Sequence, residues 1–133
     1  MKRTKLNELI HRISVVDDND IIRRTFRVML KHAGYCVTEF SSGKEFLNSG
    51  LEEPADCILL DLEMPGPNGI EVLRALRDLA CNTPVIVVSG THNATMLADA
   101  DCDNVAAILK KPIGSNALLA AVDGALSQSS HNG

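Results

Sequence analysis

The chain has 133 residues, enough for one domain with a proper core and too few for two ordinary ones. A hydrophobic fraction of 45%, a charged fraction of 23% and a net charge of -4 suit a compact fold and argue against sequence-independent nucleic-acid binding, which needs a basic footprint. No apolar run approaches the ~18 residues of a membrane-spanning helix, and Met1-Lys2-Arg3-Thr4-Lys5 lacks the apolar stretch of an export signal, so a cytoplasmic protein without a membrane partner is expected. Cys36, Cys57, Cys81 and Cys102 form no C-x-x-C pair, and His11, His32, His92 and His131 share no ligand spacing; zinc is not expected, and buried reduced thiols are.

In chain order, Arg12–Val16 reads as a strand ending at Asp17 and Asp18. Ile22, Phe26, Met29 and Ala33 recur at helical spacing over Asp20–Ala33, with Gly34 just beyond the end. Tyr35–Phe40 reads as a second strand, and Ser42 caps a short helix through Asn48, closed by Gly50. The apolar run Cys57–Leu60 delivers Asp61, after which Met64-Pro65-Gly66-Pro67-Asn68-Gly69 must be a loop. Ile70–Ala80 is helical, Val85–Val88 is a strand running into Ser89-Gly90, and Ala94–Cys102 is a weaker helix. Ala106–Lys110 is the last strand, broken by Lys111-Pro112, and Ser115–Leu126 the last helix.

Short apolar runs alternating with amphipathic stretches predict an α/β fold, a parallel sheet covered by helices. The division expected is an N-terminal extension over 1–11, one domain over 12–127 and a polar tail over 128–133. Such a tail fits both a stand-alone domain and the start of a linker to a further one.

Ligands of an open parallel sheet bind beyond the carboxyl ends of its strands. Asp17, Asp18, Asp61, Ser89 and Lys111 each fall at such an end. Converging carboxylates repel one another unless a cation is present, and all-oxygen donors suit a hard ion such as Mg2+. A carboxylate acceptor, a metal site, a lysine and a hydroxyl are the parts needed to move a phosphoryl group by positioning and charge neutralisation. Taken singly, each has a plain alternative: Asp17-Asp18 as a turn and helix cap, Ser89-Gly90 as a loop opening, Lys111 as a solvated strand end.

Val15-Val16-Asp17-Asp18, Leu59-Leu60-Asp61-Leu62-Glu63-Met64-Pro65 with Gly69, Val87-Val88-Ser89-Gly90 and Leu109-Lys110-Lys111-Pro112 together resemble the signature set of two-component response-regulator receiver domains, from about Ile13 to Leu126. The resemblance implies a doubly wound, five-stranded parallel sheet in the order 2-1-3-4-5, flanked by five helices. It implies that Asp61 accepts a phosphoryl group from a sensor histidine kinase or phosphotransfer protein, the domain catalysing its own phosphorylation and dephosphorylation, and switches conformation to control an output. Asp18, Asp61 and the backbone carbonyl of Glu63 would hold Mg2+, with Mn2+ as a substitute, and Asp17 would act through a metal-bound water. Ser89 and Lys111 would contact the phosphoryl group, and Lys111-Pro112 would be cis. The sequence departs from the family in three places: Ile108 stands where an aromatic is usual, Pro67 and Asn68 replace commoner loop residues, and Ile113 stands where phenylalanine is frequent.

Arg23, Arg24, Arg27 and Lys31 form a basic cluster that is either a solvated helix face or a docking patch for the phosphodonor. The Glu63 side chain either faces solvent or tunes hydrolysis of the phosphoryl group. On the last helix Leu118, Leu119, Val122, Ala125 and Leu126 make a core stripe, and Ala117, Ala120, Ala121 and Gly124 a small opposite face, interrupted chiefly by Asp123. That face is either an alanine-rich exposed surface or a contact for a second copy or an output domain. The rival functions are a small Mg2+-dependent phosphatase or phosphotransferase with Asp61 as nucleophile, for which the chain leaves no room for a substrate cap, and an interaction module with a vestigial site.

Overall fold

The structure, a computed structural model, describes residues 10–66, 68–90 and 104–131. Strands β1 (Arg12–Val16), β2 (Cys36–Phe40), β3 (Cys57–Asp61), β4 (Val85–Ser89) and β5 (Val105–Lys110) form one parallel sheet in the order β2-β1-β3-β4-β5. The described helices are α1 (Asp20–His32), α2 (Gly43–Glu45, prolonged by a wider π-type turn over Phe46–Gly50), α3 (Gly69–Asp78) and α4 (Ser115–His131). The helix expected over Ala94–Cys102 lies outside the described residues. No described helix is long and apolar enough to cross a membrane.

The central strands β3 and β4 are buried along their whole length and apolar up to their last residue, because helices cover both faces of the sheet. Alternation then sorts neighbours to opposite sides. Val16, Ile58, Leu60, Val85 and Val87 pack with Phe46, Val72, Leu73 and Leu76. Ile13, Val15, Leu59, Ile86 and Val88 pack with Phe26, Leu30, Leu118 and Val122. Fully burying one such side chain stabilises the fold by roughly 1.5–3 kcal/mol, so the middle of the sheet carries most of the driving force.

Helix ends explain the small differences from expectation. Asn19 caps α1 by accepting the N–H groups of Ile21 and Ile22, and Gly34, at φ 99, ends it one residue before the expected Ala33 would. Asn68 caps α3 in a reciprocal box with Glu71. That helix stops at Asp78 rather than Ala80, because Ala80 adopts φ 57 to turn the chain toward β4, a conformation that costs alanine where glycine would be at ease. The last helix runs on to His131, beyond the expected Leu126.

Two expectations about side chains also change. Cys36 is exposed and Cys81 half-buried, so of the described cysteines only Cys57 is buried; its burial pushes the thiol up to about 12, which keeps it protonated and unreactive. On α4, Ala117, Ala120 and Gly124 are exposed, whereas Ala121 is half-buried against the core and does not belong to the outer face.

Candidate functional site

The carboxyl edge of the sheet is where buried polar groups collect. Asp17 is 1% exposed, Asp61 3% and Ser89 3%, each at or just past the last residue of a strand. The two aspartates end their strands in the same way. Asp17 Oδ1 accepts the N–H of Asn19 at 2.9 Å, and Asp61 Oδ1 accepts the N–H of Glu63 at 3.1 Å. Each is therefore a turn former; the turn half of the plain reading of Asp17-Asp18 holds alongside their place in the cluster, while the helix cap is Asn19.

Lys111, immediately after β5, reaches between them. Its Nζ lies 3.4 Å from Asp17 Oδ2 and 3.4 Å from Asp61 Oδ1. Its backbone N–H donates to the Ser89 carbonyl at 2.8 Å, which ties the end of β5 to the end of β4. The Lys111-Pro112 peptide is cis. Asp18 completes the cluster from an exposed position: one carboxylate oxygen from each of Asp17, Asp18 and Asp61 falls within 4.8 Å of the others. An acidic cluster able to hold a metal ion is therefore present.

One lysine does not neutralise this cluster. Burial, and then repulsion from Asp17, pushes the Asp61 carboxyl up to about 6, against the opposing pull of the Glu63 N–H and Lys111. A cation would relieve both contributions at once, and the donor set of carboxylate oxygens fits a hard divalent ion better than a soft one.

The loop after Asp61 is held close to the strands. Leu62 donates its N–H to the Val88 carbonyl at 3.0 Å, and Gly69 donates to the Leu62 carbonyl at 3.0 Å. A Cβ at Gly69 would lie 2.5 Å from Leu62 Cα and 2.7 Å from the Asp61 carbonyl, so only glycine fits there.

Ser89 engages the Glu63 carboxylate. Its hydroxyl donates to Glu63 Oε1 at 2.5 Å, and the Gly90 N–H donates to the same carboxylate at 3.0 and 3.2 Å. The Glu63 side chain, on an exposed residue, is thus engaged with the end of β4, a contact between residues 26 apart that no local pattern announces. Sequence reading placed Arg23 only in a basic cluster; it donates to the Asp17 carbonyl at 2.8 Å and braces the turn after β1. The basic cluster on α1 divides accordingly. Arg23 pairs with Asp20 and Glu39, and Arg27 with Glu39, while Arg24 and Lys31 stay exposed. Ile108, at the usually aromatic position, is 57% exposed on β5.

The family model for the response regulator receiver domain matches residues 13–123. The chain belongs to that family. Among relatives of this receiver, the transcriptional regulatory protein FixJ of Azorhizobium caulinodans is 32% identical over 121 residues, which are 91% of the chain and 57% of the relative. The response regulator protein TodT of Pseudomonas putida is 30% identical over 127 residues, 93% of the chain and 56% of the relative. The receiver thus spans little more than half the length of these curated relatives. A CheY-like receiver domain from Methanospirillum hungatei superposes with a TM-score of 0.84 at 25% identity, covering 93% of this chain and 99% of its own. The crystal structure titled FixJ-N gives 0.79 at 28% identity, covering 88% and 94%. The chain is therefore a receiver domain of the two-component response-regulator kind, a signalling domain with the sheet order expected of it.

Proposed function

We propose that Asp61 accepts a phosphoryl group from the phosphohistidine of a sensor histidine kinase or phosphotransfer protein. The observation that carries this reading is the convergence on Asp61: a buried carboxylate 3.4 Å from Lys111, within a three-aspartate cluster at the carboxyl edge of the sheet. An Asp61 oxygen forms the new P–O bond as the donor's P–N bond breaks, and the phosphoryl group stays on the aspartate until water removes it. Lys111 pairs with the transferred group. Ser89 donates its hydroxyl to a phosphoryl oxygen. Asp18, Asp61 and the Glu63 carbonyl would hold Mg2+, or Mn2+ in its place, and Asp17 would act through a water on the ion. Such an ion, when bound, would supply positive charge against the phosphoryl oxygens. Arg23 and the Asn19 N–H hold the turn that aims Asp17.

The donor docks on α1. Ile21 and Val28 are exposed large hydrophobics on this helix, and a groove of about 330 Å3 beside it is lined by Ile22, Thr25, Phe26, Lys111, Pro112 and Ile113. That groove opens next to Lys111, at the rim of the acidic cluster. Apolar contact, rather than the arginines already paired with Glu39, is what a partner helix meets there. Output leaves through α4, where Ala117, Ala120 and Gly124 are exposed and a Cβ at Gly124 would touch nothing within 4 Å. An Ala120→Glu change is expected to abolish any association that phosphorylation induces, as sedimentation would register.

Intact mass after incubation with acetyl phosphate and Mg2+ tests the central assignment. A labile gain of one phosphoryl group is expected, lost in Asp61→Asn and after chelation. A gain that survives in Asp61→Asn would move the acceptor elsewhere. Turnover of an added phosphomonoester, absent in Asp61→Asn, would favour the phosphatase reading instead.

A further inference from the structure

We propose that the Glu63 carboxylate is a built-in competitor of the phosphoryl group, holding the Ser89 hydroxyl and the Gly90 amide until phosphorylation displaces it. The inference rests on Asp61 being the acceptor. Ser89 ends β4 next to the end of β3, where Asp61 pairs with Val88. The hydroxyl and the N–H that follows it form a ready pair of donors for an anion on Asp61. In the unphosphorylated protein both are taken by one anion, with Oε1 accepting from Ser89 at 2.5 Å and the carboxylate accepting from Gly90 at 3.0 and 3.2 Å.

The contact is tight. A Cβ on Gly90 would come within 3.3 Å of Glu63 Oε2, so the carboxylate lies close against the backbone and a side chain here would crowd it by a few tenths of an ångström. Two anions cannot share the same two donors. A phosphoryl group brings close to two negative charges, and Glu63 starts only two residues from the residue that carries it. Phosphorylation therefore expels the Glu63 carboxylate from β4. Hydrogen bonds to a charged acceptor are worth more than neutral ones, so the contact holds the unphosphorylated state and its loss is the local switching event. Ile108 leaves no aromatic side chain to follow the hydroxyl; in this chain a departing carboxylate takes that part.

The test uses beryllofluoride with Mg2+ as a non-covalent phosphoryl mimic, with binding followed through the Gly90 amide signal. Glu63→Gln and Glu63→Ala are expected to bind the mimic ~10-fold more tightly, and to show the Gly90 amide shifted before any mimic is added. Simple loss of a negative charge near the site would also tighten binding, so the measurement is repeated in a Ser89→Ala background. There the gain from Glu63→Gln should fall to ~3-fold or less, because the competition for the hydroxyl is gone. A gain of equal size in both backgrounds, or a Gly90 amide unmoved by Glu63→Gln, overturns the inference while leaving Asp61 as acceptor. Wild type and Asp61→Asn responding alike to the mimic would overturn the acceptor assignment and this inference with it.

Discussion

The middle of the sheet and its carboxyl edge are built from the same strands but answer to different physics. In β3, Leu59 and Leu60 point to opposite clusters and are held by contact with many neighbours, while Asp61, one residue on, is held by two or three named polar partners. Interior positions ask for volume and apolarity, which several side chains can supply. Edge positions ask for one atom at one place. Stability is thus concentrated where chemistry is absent, and the edge is where the fold tolerates a buried charge that it would be more stable without.

That contrast can be broken from the interior first. Leu60→Ala removes a fully buried side chain and is expected to cost about 3 kcal/mol, read from denaturant midpoints with an unchanged slope. Next in size is the metal: Mg2+ at a hundredfold excess over its dissociation constant should stabilise the protein by about 2.7 kcal/mol, and Asp18→Ala, at an exposed position, should remove most of that response without unfolding the chain.

Asp61 itself sharpens the comparison. Burial and Asp17 raise its carboxyl to about 6, so the folded, metal-free chain binds this proton more tightly than the unfolded chain does. The associated stability is present below about pH 4 and is lost as pH rises through about 6. Asp61→Asn should therefore be more stable than wild type by about 2 kcal/mol at pH 8 and show no advantage at pH 4, in thermal melts without metal. The smallest effect lies at the other end of the strands. Ala80→Gly relieves the φ of 57 after α3 and should add about 1 kcal/mol, with labelling at Asp61 unchanged.

The apolar runs of β3 and β4 were readable because a strand buried on both faces leaves little choice of residue type. The polar residues that end them were readable because the parallel sheet brings strand ends to one edge. What escaped depended on neighbours distant in sequence. Ala80 is a strong helix former by itself, and only the need to reach β4 makes it a turn. Ala106 and Ala107 both pack toward one face because the pairing passes from Val85–Val105 to Ile86–Ala107 and skips Ala106 on β5, an irregularity that two adjacent alanines do not reveal. The engagement of Glu63 with Ser89 needs β3 and β4 side by side, and the neutralisation of Arg23 and Arg27 needs Glu39 of β2 beside α1.

The parallel register has a consequence for which insertions the domain can absorb. Val16 is level with Leu60, Asp61 with Val88, and Ser89 with Lys110, so the clustered polar side chains are spaced by ladder hydrogen bonds rather than by loops. One residue added inside β3 would exchange the two packed faces from that point onward and carry Asp61 away from Lys111. The same residue added to the exposed stretch Glu52–Pro54 would lengthen a connection at the opposite edge and leave the spacing untouched, at little entropic cost. Length variation among such domains should therefore accumulate between strands, where it changes what the surface meets, and be purged within them, where it changes what the site can do.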